Sequence, residues 1–164
     1  MSKKIEILIY AVFVIAILST VAFIFGNSMK SPAESTEQSN EVVEIVRPVI
    51  DPNEKMSDED ISFIVRKSGH FIEYMALGIE CAAFAYYILR RTTPLGIVSG
   101  ALGCLLVANI DEYIQSFTDR GSLVADVLLD FGGSLFGLAL GVGISCLAAK
   151  VIGKINSKNK RDAA

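Results

Sequence analysis

The chain of 164 residues is 52% hydrophobic and 20% charged, and its mean hydropathy is +0.49. Few of the charges fall in four long apolar stretches, which excludes an ordinary soluble domain and a disordered or fibrous chain. The formal net charge of −3 provides no basic surface, so we expect no nucleic-acid partner. The three cysteines (Cys81, Cys104, Cys146) lie inside apolar stretches without CxxC spacing. The sequence therefore predicts neither a disulfide framework nor a cysteine-based zinc site.

Four segments are apolar and long enough to cross a hydrocarbon core of ~30 Å, which takes about 20 helical residues. They cover approximately residues 5–25, 69–89, 94–110 and 124–149. Lys3 and Lys4 before the first segment also fit a cleaved signal peptide. However, the apolar run is longer than is usual for such a peptide, and no A-x-A cleavage site follows it. We predict an all-α integral membrane protein with four transmembrane helices, forming one domain over residues 1–164.

Residues 26–68 form a polar segment between the first two spans, with prolines at positions 32, 48 and 52. One set of apolar residues recurs there at helical spacing: Val42, Val43, Ile45, Val46 and Val49. The run Ser57-Asp58-Glu59-Asp60 has the pattern of a capping box and precedes further apolar residues. We predict two short amphipathic helices in this loop, lying at the membrane surface. A solvated linker with nascent helix is the alternative.

The lysines and arginines of the short loops predict the orientation. Lys3 and Lys4 precede the first span, Arg90 and Arg91 separate the second and third spans, and residues 150–161 are lysine-rich. Basic residues on the opposite side are spread over a longer loop. We therefore expect a multi-pass protein of the cell membrane with both termini cytoplasmic and residues 26–68 outside.

Ionisable and polar residues in or beside membrane spans are costly, so each is a candidate for a functional site. Under the predicted topology one group falls at the outer ends of three helices: Lys67, His70, Tyr74, Asp111, Glu112, Gln115, Arg120, Asp126 and Asp130. Its acids outnumber its permanent cations, which favours a missing phosphate, amine or metal as a ligand. The alternative is a network of ion pairs and hydrogen bonds that only fixes the packing of the helices.

The chemistry of this group is restricted by its residue types. His70 is the only histidine, which excludes HExxH zinc chemistry, although one histidine with a carboxylate can act as a general base. Oxygen ligands suit Mg²⁺ or Ca²⁺ better than Zn²⁺, but their spacing matches no known ion-binding loop. We therefore predict no metal and no cofactor. Glu80 lies near the middle of a span. Three roles are open for it: it is protonated, it pairs with another helix, or it belongs to a transport path.

Glycines repeat at four-residue spacing in two spans. In the fourth span, Gly133, Gly137 and Gly141 lie on the same line along the helix as Asp126 and Asp130. In the third span, Gly96 and Gly100 have the same four-residue spacing. Small residues at this spacing let helix backbones approach closely. We predict packing within the chain, with formation of a homo-oligomer as the weaker alternative.

Two motifs and the residues that follow them resemble a known family. The motifs are Lys67-Ser68-Gly69-His70-Phe71-x-x-Tyr74-x-x-Leu77-Gly78 and Asp111-Glu112-x-x-Gln115-x-Phe117, followed in order by Arg120, Asp126 and a glycine-rich stretch through Gly133. Ser28, Ser35 and Ser39 in the polar segment after the first span are similar as well. Over essentially its whole length the chain resembles the VanZ-like membrane proteins.

The resemblance implies a polytopic bacterial envelope protein, and some family members are associated with resistance to glycopeptide antibiotics such as teicoplanin. It implies a fold and a setting but no defined reaction. One position departs from the pattern: four residues after Asp126 the family generally has Asn, whereas this chain has Asp130. The extra negative charge would alter the ligand or be neutralised by protonation.

Three functions are compatible with these features. The first is an envelope protein whose outer-leaflet polar pocket binds a lipid head group or a cell-wall precursor, so that its partners are membrane lipids and a lipid-linked or anionic small ligand. The second is an integral-membrane enzyme acting on lipid-linked phosphate or acyl groups, with His70 and acids such as Asp111, Glu112 or Asp126 transferring protons. The third is a transporter using Glu80, which four spans without an evident repeat disfavour.

Overall fold

The computed structural model describes residues 2–53, 55–89, 93–118 and 124–162. Within those ranges it contains five helices and no strand. They are α1 (Lys3–Ser28), α2 (Pro32–Ile50), α3 (Asp58–Leu89), α4 (Pro94–Gln115) and α5 (Val124–Asp162). All except α2 are long and apolar enough to cross a membrane. The predicted all-α fold with four transmembrane helices is confirmed.

Side-chain caps define where the helices begin. Ser31 accepts a hydrogen bond from the backbone N–H of Glu34, and the Glu34 carboxylate accepts one in return from the backbone N–H of Ser31. The Ser31 hydroxyl also donates to the Glu34 carboxylate (2.7 Å). This bond and the one from the Ser31 N–H hold the pKa of Glu34 below its ordinary value, because they stabilise the ionised carboxylate. Thr93 caps α4 in the same way through the N–H of Gly96, and Pro94 occupies the first turn, where no N–H is needed.

The prediction of two short helices between the first two spans is wrong in one respect. The capping pattern at Ser57 is real, since Ser57 Oγ accepts from the N–H of Asp60, but the helix that follows does not stop. It continues as α3 for 32 residues, roughly 48 Å at 1.5 Å per residue. Between Asp58 and Ser68 no proline or glycine interrupts it, and neither Gly69 nor Gly78 breaks the helix.

The helices extend beyond the apolar segments. Helix α2 continues through Pro48 to Ile50. The third span continues beyond residue 110 to Gln115, and the fourth helix continues beyond residue 149 to Asp162. Hydropathy marks the part of a helix that crosses the apolar core, whereas the helix itself ends only where its backbone hydrogen bonds end. The predicted turn at Arg90 and Arg91 lies outside the described residues.

Helix α2 lies against α3 and is amphipathic, as predicted. Its buried residues are Ser35, Ser39 and Val43, whereas Ile45 and Val49 are 76% and 83% exposed. An exposed apolar stripe on a helix of this kind is typical of a segment that lies in the membrane interface.

The connection from α2 to α3 is fixed by two acids. Asp51 accepts hydrogen bonds from the backbone N–H groups of Met56 (2.7 Å) and Lys55 (3.0 Å), and these bonds hold its pKa below the ordinary value. Arg47 near the end of α2 forms an ion pair with Asp58 at the start of α3. The bonds to Asp51 fix the connection itself, and the Arg47–Asp58 pair ties the last turn of α2 to the first turn of α3.

The contact between α3 and α5 is the closest in the bundle. A Cβ atom added at Gly137 would lie 2.0 Å from the backbone oxygen of Met75, and one at Gly133 would lie 2.5 Å from that of Phe71. From the other side, a Cβ at Gly78 would lie 2.2 Å from the backbone oxygen of Ser134. The predicted packing of the glycine stripe within the chain is confirmed.

Replacing Gly137 by alanine tests this packing. Because the added methyl group meets backbone atoms that cannot rotate away, we expect a loss of about 1–3 kcal/mol, typical of overpacking. Gly132→Ala is the matched control, since nothing lies within 4 Å of the added atom and alanine favours helix over glycine. Thermal unfolding in detergent measures both variants. Equal melting temperatures for the two would contradict the close packing.

A second test concerns orientation, which the basic residues predict. In a variant without Cys81, Cys104 and Cys146, a single cysteine is placed at Asn40 or at Ser157, both of which are exposed. We expect a membrane-impermeant maleimide to label position 40 in intact cells and position 157 only after permeabilisation. The unsubstituted cysteine-free protein is the control, and the reverse labelling pattern would invert the topology.

Candidate functional site

Four helices bring polar residues together at one end of the bundle, where α1 and α4 end and α3 and α5 begin. We call this the site end. Asn27 Nδ2 of α1 donates to Glu73 Oε1 of α3 (2.7 Å). Gln115 Nε2 of α4 donates to Ser28 Oγ of α1 (3.2 Å). These two bonds link α1 to α3 and to α4 at the site end.

Two acids lie at the centre of the site end. Asp111 of α4 is 0% exposed and Asp130 of α5 is 1% exposed. Asp111 Oδ2 accepts a hydrogen bond from Gln115 Nε2 (3.1 Å). Neither oxygen of Asp130 accepts a hydrogen bond from any residue that the structure describes. Because a buried carboxylate is costly unless it is neutralised or hydrogen-bonded, this pair requires a positive partner or a proton.

His70 of α3 faces both acids. Its Nδ1 lies 3.7 Å from Asp130 Oδ1 and 4.0 Å from Asp111 Oδ2. These distances are too long for hydrogen bonds. One donor atom from each of the three residues lies within 4.8 Å of the other two, so the group has the size of a metal site. Tyr74, one turn further along α3, is fully buried.

Lys67 and Asp126 form a separate ion pair between α3 and α5. Lys67 Nζ lies 2.5 Å from Asp126 Oδ1, and the two side chains are 28% and 19% exposed. The predicted surplus of acid is therefore divided. Asp126 has Lys67 as its cation, whereas Asp111 and Asp130 are buried without a lysine or arginine partner among the described residues.

The remaining predicted residues are placed as follows. Glu112 and Gln115 are buried on the face of α4 that carries Asp111. Arg120 lies outside the described residues, so its role stays a prediction. Glu80 is not at the site end: its Oε1 accepts a hydrogen bond from Thr20 Oγ1 of α1 (2.9 Å). Among the three alternatives for Glu80, the structure favours pairing with another helix.

The structure adds a cavity of about 150 Å³ between α1, α2 and α3. It is lined by Asn27, Ser35, Gln38, Ser39, Val42, Val65, Arg66, Gly69, His70 and Glu73. We call it the α2 pocket. Sequence reasoning did not select Arg66, Asn27 or Gln38. The sequence contains one indication of this pocket: residues 66, 69, 70 and 73 have helical spacing and therefore share a face of α3.

The comparisons with known proteins fit this arrangement. The model of the family described as VanZ/LLP1 matches residues 13–146, which include α2, most of α1 and the whole of the site end. The chain belongs to the VanZ/LLP1 family. The predicted resemblance is thereby confirmed. Comparison with curated proteins and with solved structures finds no match. The matched region of this VanZ/LLP1 protein contains α3 and α4 in full and parts of α1 and α5, the four helices that can cross a membrane.

The ion pair between Lys67 and Asp126 generates a prediction for the VanZ/LLP1 protein. We expect Lys67→Met to cost more than the ~1 kcal/mol of an exposed pair and less than the ~3–5 kcal/mol of a buried one, because the pair is partly exposed. The double variant Lys67→Met/Asp126→Leu removes both charges and should recover most of the loss. Thermal unfolding of the single and double variants in detergent gives the coupling. Additive losses would show that the pair does not interact.

Proposed function

We propose that this VanZ/LLP1 protein binds a phosphate-bearing head group, of a membrane lipid or a lipid-linked cell-wall precursor, in the α2 pocket. The observation that carries the proposal is the combination of Arg66, His70 and several neutral hydrogen-bonding side chains around one cavity. The one carboxylate in the lining, Glu73, accepts a hydrogen bond from Asn27 Nδ2 (2.7 Å). Arginine presents a planar fork of donors that matches phosphate oxygens. The amides and hydroxyls of Asn27, Gln38 and Ser39 supply further polar contacts.

The size of the pocket restricts the ligand. The volume of the pocket is about 150 Å³. This is enough for a phosphate group but not for a drug-sized molecule, whose pockets run to roughly 300–1,000 Å³. The remainder of a lipid would extend from the pocket into the membrane, so we expect recognition of the head group rather than of the chains.

The position of α2 supports binding at the depth of lipid head groups. Helix α2 forms one wall of the pocket, and its exposed residues Ile45 and Val49 are suited to the membrane interface. Lys30 lies beside the same wall, where its Nζ donates to Asn27 Oδ1 (2.9 Å) and to Gln38 Oε1 (2.7 Å). A second positive charge near the pocket favours an anion there. In the predicted orientation this site belongs to the outer leaflet.

A second candidate function is catalysis on the same lipid-linked phosphate. The observation that favours it is the position of His70, which lines the α2 pocket and also lies 3.7 Å from Asp130 and 4.0 Å from Asp111. An imidazole oriented by a carboxylate can take a proton from an attacking hydroxyl or water. The two functions differ in one outcome, because only an enzyme converts the bound lipid.

Lipids that copurify with the protein after mild extraction test the proposal. We expect mass spectrometry to find one phosphate-bearing class enriched over the bulk membrane, and we expect Arg66→Gln to lose most of that enrichment. Arg66→Lys should lose part of it, since charge is retained without the fork of donors. Conversion of the enriched lipid on incubation would select the catalytic function.

Lys55→Gln is the matched control, because it removes one positive charge from an exposed residue near the beginning of α3 that does not line the pocket. Bulk lipid composition and protein abundance should be equal in all variants. A lipid profile unchanged by Arg66→Gln would contradict the proposal. Growth in teicoplanin with and without the protein tests the link to glycopeptide resistance that the family resemblance implies.

A further inference from the structure

We propose that His70, Asp111 and Asp130 form a binding site for a divalent first-row transition-metal ion. The inference does not depend on the proposed head-group pocket, because it rests on different contacts. The three residues come from three helices, α3, α4 and α5. One donor atom of each lies within 4.8 Å of the other two. The bundle therefore converges on a single point with one nitrogen and two carboxylate donors.

The distances suit an ion better than direct contacts. His70 Nδ1 is 3.7 Å from Asp130 Oδ1 and 4.0 Å from Asp111 Oδ2, both beyond hydrogen-bonding range. Ligands at ~2.0–2.2 Å from a shared metal ion lie about 3–4 Å apart, depending on the angle between them. Only small side-chain movements are needed for all three donors to reach one ion.

Asp130 is the independent observation that points to a ligand. Its carboxylate is 1% exposed, and neither of its oxygens accepts a hydrogen bond from the described residues. Asp111, equally buried, lies on the other side of the same imidazole nitrogen. The nearby Lys67 is held by Asp126 at 2.5 Å. Within the described part of the chain, His70 is the one basic side chain within 4.0 Å of Asp111 or Asp130.

The donor set indicates the class of ion. Imidazole suits Zn²⁺, Fe²⁺ and Ni²⁺, whereas carboxylates suit Mn²⁺ and Mg²⁺, so a mixed set favours first-row ions such as Mn²⁺ and Zn²⁺. An ion of charge +2 would neutralise two carboxylates that otherwise repel each other in a low-dielectric setting. His70 also lines the α2 pocket, which provides a route by which an ion can reach the buried acids.

The test uses the full chain in detergent, purified with a tag that lacks histidine, stripped with a chelator and titrated with Mn²⁺. We expect electron paramagnetic resonance to show saturable binding of one ion per chain. Because His70 is the only histidine, pulsed measurements should show coupling to one imidazole nitrogen. Protein grown with ¹⁵N-histidine should exchange the ¹⁴N signal for that of ¹⁵N. This readout needs no variant, so it decides the question even if substitutions impair folding.

Asp130→Asn should weaken Mn²⁺ binding by at least about tenfold, since even partners outside the ligand shell typically change affinity by ~10–100-fold. Glu80→Gln is the matched control: it deletes another charge within the membrane-spanning part of α3 but lies away from the three donors. It should bind Mn²⁺ as the unchanged protein does. Absence of saturable binding, absence of nitrogen coupling, or unchanged affinity in folded Asp130→Asn would each overturn the proposal.

Discussion

The close contact between the backbones of α3 and α5 is the constraint on which the site depends. The two helices run in the same direction, and their register is fixed because Gly133 meets Phe71 and Gly137 meets Met75 without room for a side chain. With that register set, the residues one and two turns before Gly133 fall opposite polar residues of α3. Asp130 reaches His70, and Asp126 reaches Lys67. Glycines that carry no chemistry thus determine which charges meet.

The same packing explains why Asp126 and Asp130 have different surroundings. Asp126 lies in the first turn of α5, where its side chain and that of Lys67 are both partly exposed. One turn deeper, α4 closes the third side and Asp130 loses almost all exposure. The charge of Asp126 is partly screened by its surroundings, whereas a charge on the buried Asp130 must be neutralised by a neighbouring group, an ion or a proton. The partly exposed and the fully buried environments are thus only one helical turn apart on α5.

Much of this fold follows from the sequence, because hydropathy identifies spans and glycine spacing identifies close helix contacts. The sequence also identifies the residues of the site, because placing a charged side chain in a membrane span costs free energy and such residues are therefore candidates for a function. The rotation of α3 could not be predicted. Arg66 and Lys67 are neighbours in sequence and differ by 100° on the helix, so tertiary packing alone turns Arg66 to the α2 pocket and Lys67 to α5. The continuity of α3 across Ser68 was missed because hydropathy reports the membrane and not the helix.

His70 stands at the boundary between the two environments that this rotation creates. On one side it lines the α2 pocket with Arg66, and its Nδ1 is near the buried acids. The two proposed ligands therefore share one side chain but are otherwise held by different residues, since Asp130 does not line the pocket and Arg66 is not among the three donors. Loss of Arg66 and loss of Asp130 should then have separable effects. Loss of His70 should affect both, and this makes it the residue through which occupancy of one site can influence the other.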